Sequence, residues 1–208
     1  MNLSTPSHPD IPRLCIYENG IDRQSFNSIS LFKLDSYQGK SNKFTISNQH
    51  LTMKRILEPE VMDTREEAAE YDAMDFVEVN QAFAQKALEI GPQKGLILDA
   101  GTGTARIPIF ICQERLEWQI IAIDLSQNML IIGDKNIKDA GLEARIKLEL
   151  VDAKNLPYLD CNFDAAISNS ILHHLPEPLP FWQELKRVLK PGGGILIKIG
   201  RASCRERV

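Results

Sequence analysis

Apolar residues fall into two alternating rhythms from about residue 63 onward. Between 63 and 90, Ala69, Met74, Phe76, Phe83, Ala87 and Leu88 recur at loose helical spacing, and Asp63 with Glu66 three residues on suits a helix N-cap. The pattern predicts one or two helices that end near Gly91-Pro92. Short apolar runs then follow at 96–98, at 119–123 ending on Asp124, through Ile146, Leu148, Leu150 and Val151 to Asp152, at 163–168 and at 194–199. Helical patterns separate them. One covers 106–116, with Pro108 acceptable in its first turn. A second is capped by Ser126 and carries Met129, Leu130, Ile137 and Ala140, and a third spans about 179–189. Strands alternating with helices at this spacing predict an α/β fold built on a doubly wound parallel sheet, with helices on both faces.

The ends of the chain do not share this order. Residues 1–52 are rich in Ser and Asn, hold Pro6, Pro9 and Pro12, and show no sustained period, so they read as a poorly ordered or non-native extension. Two readings stay open here: translation that naturally starts at Met53, or a genuine extension with local β structure around Ser30 to Leu34. Residues 200–208, R-A-S-C-R-E-R-V after Gly200, have no apolar period and look foreign to the fold. The expected domain is therefore 53–199, with leading helices at 63–90 and a ligand-binding core at 95–199.

Composition narrows the function classes. The 208 residues suffice for one substantial α/β domain, and 43% hydrophobic with 25% charged residues is ordinary for a globular protein. A net charge of -4 supplies no basic footprint for nucleic acid. Cys15, Cys112, Cys161 and Cys204 are scattered without metal-ligand spacing, so no metal site is expected and the thiols read as those of a reduced, cytoplasmic protein. No apolar run reaches the length of a membrane span, and no targeting signal is evident.

The densest chemical signal is L-I-L-D-A-G-T-G-T-A, residues 96–105. A buried strand, a glycine turn and a helix begin a Rossmann-like nucleotide site. Charge then limits the ligand. Dinucleotide sites set a pyrophosphate over such glycines, yet Asp99 closes this strand, and a carboxylate ~4 Å from a phosphate costs roughly 4 kcal/mol at an effective dielectric near 20. An ammonium or sulfonium would be welcome there. Arg106 also stands where the third glycine of a dinucleotide fingerprint belongs. Asp124 lies roughly twenty residues beyond the glycines, the distance at which an acid reaches ribose hydroxyls, and Asp152 ends the next strand. In an open parallel sheet those strand ends face one crevice.

D-A-G-T-G, the three strand-end acids, F-D-A-A-I-S-N-S-I-L-H-H-L-P-E-P and L-K-R-V-L-K-P-G-G-G-I-L-I-K-I together resemble class I S-adenosylmethionine-dependent methyltransferases of the small-molecule type. The resemblance covers about 53–199 and stops in the fifth strand, where the family carries two more. It implies S-adenosyl-L-methionine as cofactor, with Asp99, Gly101 and Gly103 at its methionyl end and Asp124 on the ribose. It further implies Asp152 and Ala153 at adenine, Leu125 (with Met129) on the adenine face, Asn169 and Ser170 beside the methyl group, and Tyr71 over the methionyl part. The segment after Asn169 lacks the Pro-Pro-aromatic sequence of nucleobase amino-methyltransferases, which argues against methylation of DNA bases. The expected partner is a small-molecule acceptor methylated on O, N or C. His173 or His174 is the candidate base, and adjacency on a helix would let only one face the pocket. An NAD-dependent oxidoreductase and a non-catalytic cofactor-binding module remain the alternatives. With two strands missing, the fifth strand is expected to be an unpaired edge.

Overall fold

The computed structural model describes residues 64–199 together with the backbone of 13–18. Residues 30–34, Met53, Asp63 and 200–208, on which several sequence expectations rest, lie outside the described residues. In chain order the elements are β1 (Arg13–Glu18), α1 (Arg65–Ala73), α2 (Val77–Ile90), β2 (Gly95–Ala100), α3 (Arg106–Glu114) and β3 (Trp118–Asp124). There follow α4 (Gln127–Asp139), β4 (Ile146–Leu150), β5 (Phe163–Asn169), α5 (Leu179–Val188) and β6 (Leu189–Ile199). The leading region is thus two helices, separated by a short break around the exposed Met74.

All five expected strands, β2 to β6, pair in parallel in the order β6-β5-β2-β3-β4. Two details differ from expectation. β6 is not an open edge: Arg13–Glu18 lies parallel beside it, from Arg13 opposite Gly194 to Glu18 opposite Ile199. A six-residue strand inside the segment expected to be poorly ordered carried too little pattern to be seen in isolation. β6 also begins earlier than 194, since Leu189 already pairs with Phe163 before the register slips to Ala165 opposite Gly194. The glycine-rich stretch is therefore a bulge within β6.

The sheet is covered on both faces. Phe83, Ala84, Ala87 and Leu88 of α2 pack with Ile107, Ile111 and Cys112 of α3 and Ile137 of α4 against Ile97, Ile120, Ile167 and Leu196. On the opposite face, Phe181, Leu185 and Val188 of α5 meet Leu98, Ile123, Ala166, Ile195 and Ile197. Alternate strand residues feed the two layers because successive side chains point to opposite faces. Helix starts follow local chemistry. Thr64, one residue beyond the expected Asp63, caps α1 in a box with Glu67, and Ser126 caps α4 by accepting from Met129 N at 3.2 Å. Among the described residues no helix is long and apolar enough to cross a membrane.

Candidate functional site

The carboxyl ends of β2, β3 and β5 converge on the glycine turn at 101–105. Ile123 O accepts from both Gly101 N and Thr102 N at 2.9 Å, which draws the turn across the end of β3. Asp124 completes the tie: its Oδ2 accepts from Gly103 N at 2.8 Å and its Oδ1 from Ser126 N at 2.9 Å. Gly101 and Gly103 hold positive φ of 76° and 58°, conformations costly for a side-chain-bearing residue. A Cβ at Gly103 would stand 3.5 Å from Tyr71 Cε1, so Tyr71 on α1 lies over the turn. Its ring also sits 5.5 Å from that of Phe76.

Asp99 is the site's electrostatic anomaly. Only 1% exposed, it leaves Oδ2 sealed from solvent with no hydrogen-bond partner. Burial pushes its carboxyl up to about 7, with the nearby Thr102 hydroxyl opposing the rise and the Asp124 carboxylate adding to it. Burial likewise raises Asp124, against the backbone N–H groups of Ser126 and Gly103. Two adjacent acids whose ionisation is suppressed make a pocket short of positive charge. Thr102 and Thr104 add buried hydroxyls that find no partner, and unsatisfied buried groups of this kind are rare.

The remaining sequence candidates divide. Leu125 is half-buried beside Asp124, while Met129 is buried at the start of α4. Asp152 Oδ1 accepts from Lys154 N at 2.8 Å and pairs with Lys154 Nζ at 3.2 Å, so this oxygen is held by its own turn. Ala153 is buried next to it. At the end of β5, Ser170 takes a positive φ of 67° and its hydroxyl donates to Asn169 Oδ1 at 3.1 Å. Strained non-glycine backbone here and at Ala105, φ 61°, brackets the crevice, and such strain gathers at functional sites. Residues 172–174 form a turn, and the His173 and His174 rings lie 4.0 Å apart. His174 is close enough to Asp124 to oppose the upward shift of its carboxyl.

One cluster escaped the sequence reading. Asp72 Oδ1 accepts from Arg106 Nε at 3.0 Å and from Asn136 Nδ2 at 3.2 Å, Arg106 also donates to Asp72 O, and Asn136 Nδ2 reaches Thr104 O at 3.1 Å. Against the burial that would raise it, Arg106 holds the Asp72 carboxyl below the usual carboxylate range. The cluster fastens α1, with Tyr71, to the glycine turn. Its only trace in the sequence was Arg106 in place of a third glycine.

Residues 98–197 match the family model described as Methyltransferase domain. The chain is 33% identical over 104 residues to the ubiquinone/menaquinone biosynthesis C-methyltransferase UbiE of Geobacter sp. (strain M21), covering 50% of this chain and 44% of that one. A putative S-adenosyl-L-methionine-dependent methyltransferase from Methanococcus maripaludis superposes with a TM-score of 0.62 at 24% identity, over 70% of this chain and 67% of that chain, which speaks to the fold. The [4+2]-cyclase SpnF is 33% identical with a TM-score of 0.51, over 56% of this chain and 42% of that chain. The chain spans about half the length of the curated relatives it matches.

Proposed function

We propose that the protein transfers a methyl group from S-adenosyl-L-methionine to a small-molecule oxygen, nitrogen or carbon acceptor in the cytoplasm. The buried Asp99 carboxyl beneath a glycine turn, with its Oδ2 left without a hydrogen-bond partner, carries this reading. An acid in that position is costly when empty of a cation and repels a pyrophosphate, which disfavours the NAD alternative; the ammonium of a methionyl group satisfies it. Gly101 and Gly103 let the backbone approach that group, and Tyr71 covers it. Each Asp124 oxygen keeps a second lone pair beyond its backbone bond, enough to accept from two ribose hydroxyls. Asp152 Oδ2 and the Ala153 N–H are assigned to adenine, with Leu125 on its face.

S-adenosylmethionine supplies an electrophilic methyl on a good leaving group. The chain's own residues then need to align the acceptor, exclude water and, for an acidic acceptor, take its proton. Alignment can supply up to about 7–11 kcal/mol. Asn169 and Ser170 are assigned to the donor side, beside the transferable methyl group, and His173 or His174 is the candidate to take a proton. The net charge of -4 favours a small acceptor over nucleic acid. Calorimetric titration with S-adenosylhomocysteine tests the cofactor assignment, and absence of binding overturns it. The similar cyclase motivates a second reading, in which the pocket holds the cofactor without spending its methyl group; binding with no methyl consumed across a broad acceptor panel would favour it.

A further inference from the structure

Lys198 takes no part in the proposed cofactor site. It is 5% exposed, near the end of β6, and its Nζ makes no hydrogen bond or ion pair among the described residues. Lysines are almost never fully buried unless paired, and burial here depresses its pKa with no acid nearby to offset the effect.

Register places it. Asp99 lies opposite Ile167, Ile167 opposite Leu196, and Asn169 opposite Lys198. Paired residues share a face of the sheet and so do residues two apart on a strand, which puts Asp99, Asn169 and Lys198 on one face at the carboxyl edge. Ser170 N, donating to Lys198 O at 2.9 Å, locks the strained turn after β5 to this position. Two strand spacings, about 10 Å across the sheet, and two residues, about 7 Å along it, separate Lys198 from Asp99. That gap is the width of a small acceptor. One end of the crevice thus offers an acid for a cationic donor, and the other offers a cation.

We propose that Lys198 is an anion-recognition residue of the acceptor subsite, and that the acceptor is a carboxylate-bearing small molecule. The proposal rests on the methyltransferase reading for the word acceptor, but the carboxylate site itself does not depend on it. The ligand's carboxylate would complete the missing ion pair and draw the acceptor over Asn169 toward the donor. In the free protein the ammonium stays unpaired, which suits a site whose counter-charge arrives with the substrate.

The test uses the full chain and a panel of small aliphatic and aromatic carboxylates, each paired with its uncharged amide, read by saturation-transfer NMR with and without S-adenosylhomocysteine. Carboxylates are expected to bind at least tenfold more tightly than their amides. Lys198→Met is expected to erase that preference while leaving S-adenosylhomocysteine affinity unchanged, Lys198→Arg to retain most of it, and Lys186→Met on the exposed side of α5 to have no effect. In the wild-type protein, whatever the variants do, the Lys198 ammonium resonance of isotopically labelled lysine should show its pKa rising when a carboxylate binds. Carboxylates that bind no better than amides, or an unchanged preference in folded Lys198→Met, would overturn the proposal. Failure to bind S-adenosylhomocysteine would instead remove the cofactor reading, with the carboxylate preference still decided by the titrations without it.

Discussion

Asp99 shows how one residue can carry both ligand choice and pH response. Its carboxyl stands at about 7 in the folded protein against an ordinary 3.8, so the folded state keeps a proton that the unfolded chain gives up. Stability of the ligand-free protein is therefore expected to fall as pH rises from about 4 to about 7, by on the order of 3 kcal/mol, and Asp99→Asn should abolish that fall. Urea unfolding at pH 5 and pH 8 measures it; equal slopes with pH in wild type and variant would exclude Asp99 as the source. Ligand binding runs the other way. An ammonium needs the carboxylate, so S-adenosylhomocysteine affinity should climb about tenfold per pH unit below 7 and level off above it. The identity of this acid was legible at the end of an apolar run; its burial and raised pKa were not, because they arise from residues brought over it by tertiary packing.

At the scale of elements, α1 earns its position through a polar fastening rather than an apolar face. Of its residues only Ala68 is buried, whereas Asp72 grips Arg106 and Asn136 from two other helices. Removing the grip by Arg106→Ala should free α1 and Tyr71 from the glycine turn. S-adenosylhomocysteine affinity is expected to drop about tenfold, near 1.4 kcal/mol, while amide exchange within β2 and β3 stays as in wild type. Exchange that rises throughout the sheet would show instead that the pair supports the fold as a whole. Strands and helices of the core were legible because each has one dominant period. The turn holding His173 and His174 has no period of its own, and its Leu175 packs in the same apolar cluster as Phe181 and Leu185 of α5.

For the whole molecule, the sheet closes one edge with a strand from far upstream. Arg13–Glu18 protects the outer backbone of β6, an edge that would otherwise invite association. Ile16→Pro removes a ladder donor from the middle of β1, and amide exchange along β6 is expected to accelerate tenfold or more with β3 unaffected. Unchanged exchange in β6 would mean that β1 contributes no protection. The order of alternating strands and helices, the parallel sheet and the placing of Asp99 and Asp124 at the ends of β2 and β3 were determined by the sequence alone, since hydrophobic period and strand-end position are local properties. The partner of β6, the Asp72 fastening, the tie of Asp152 Oδ1 to Lys154 and the burial of Lys198 were decided only by the tertiary structure. Each depends on which distant groups share a register or a buried volume, and that is a matter of long-range packing no local pattern encodes.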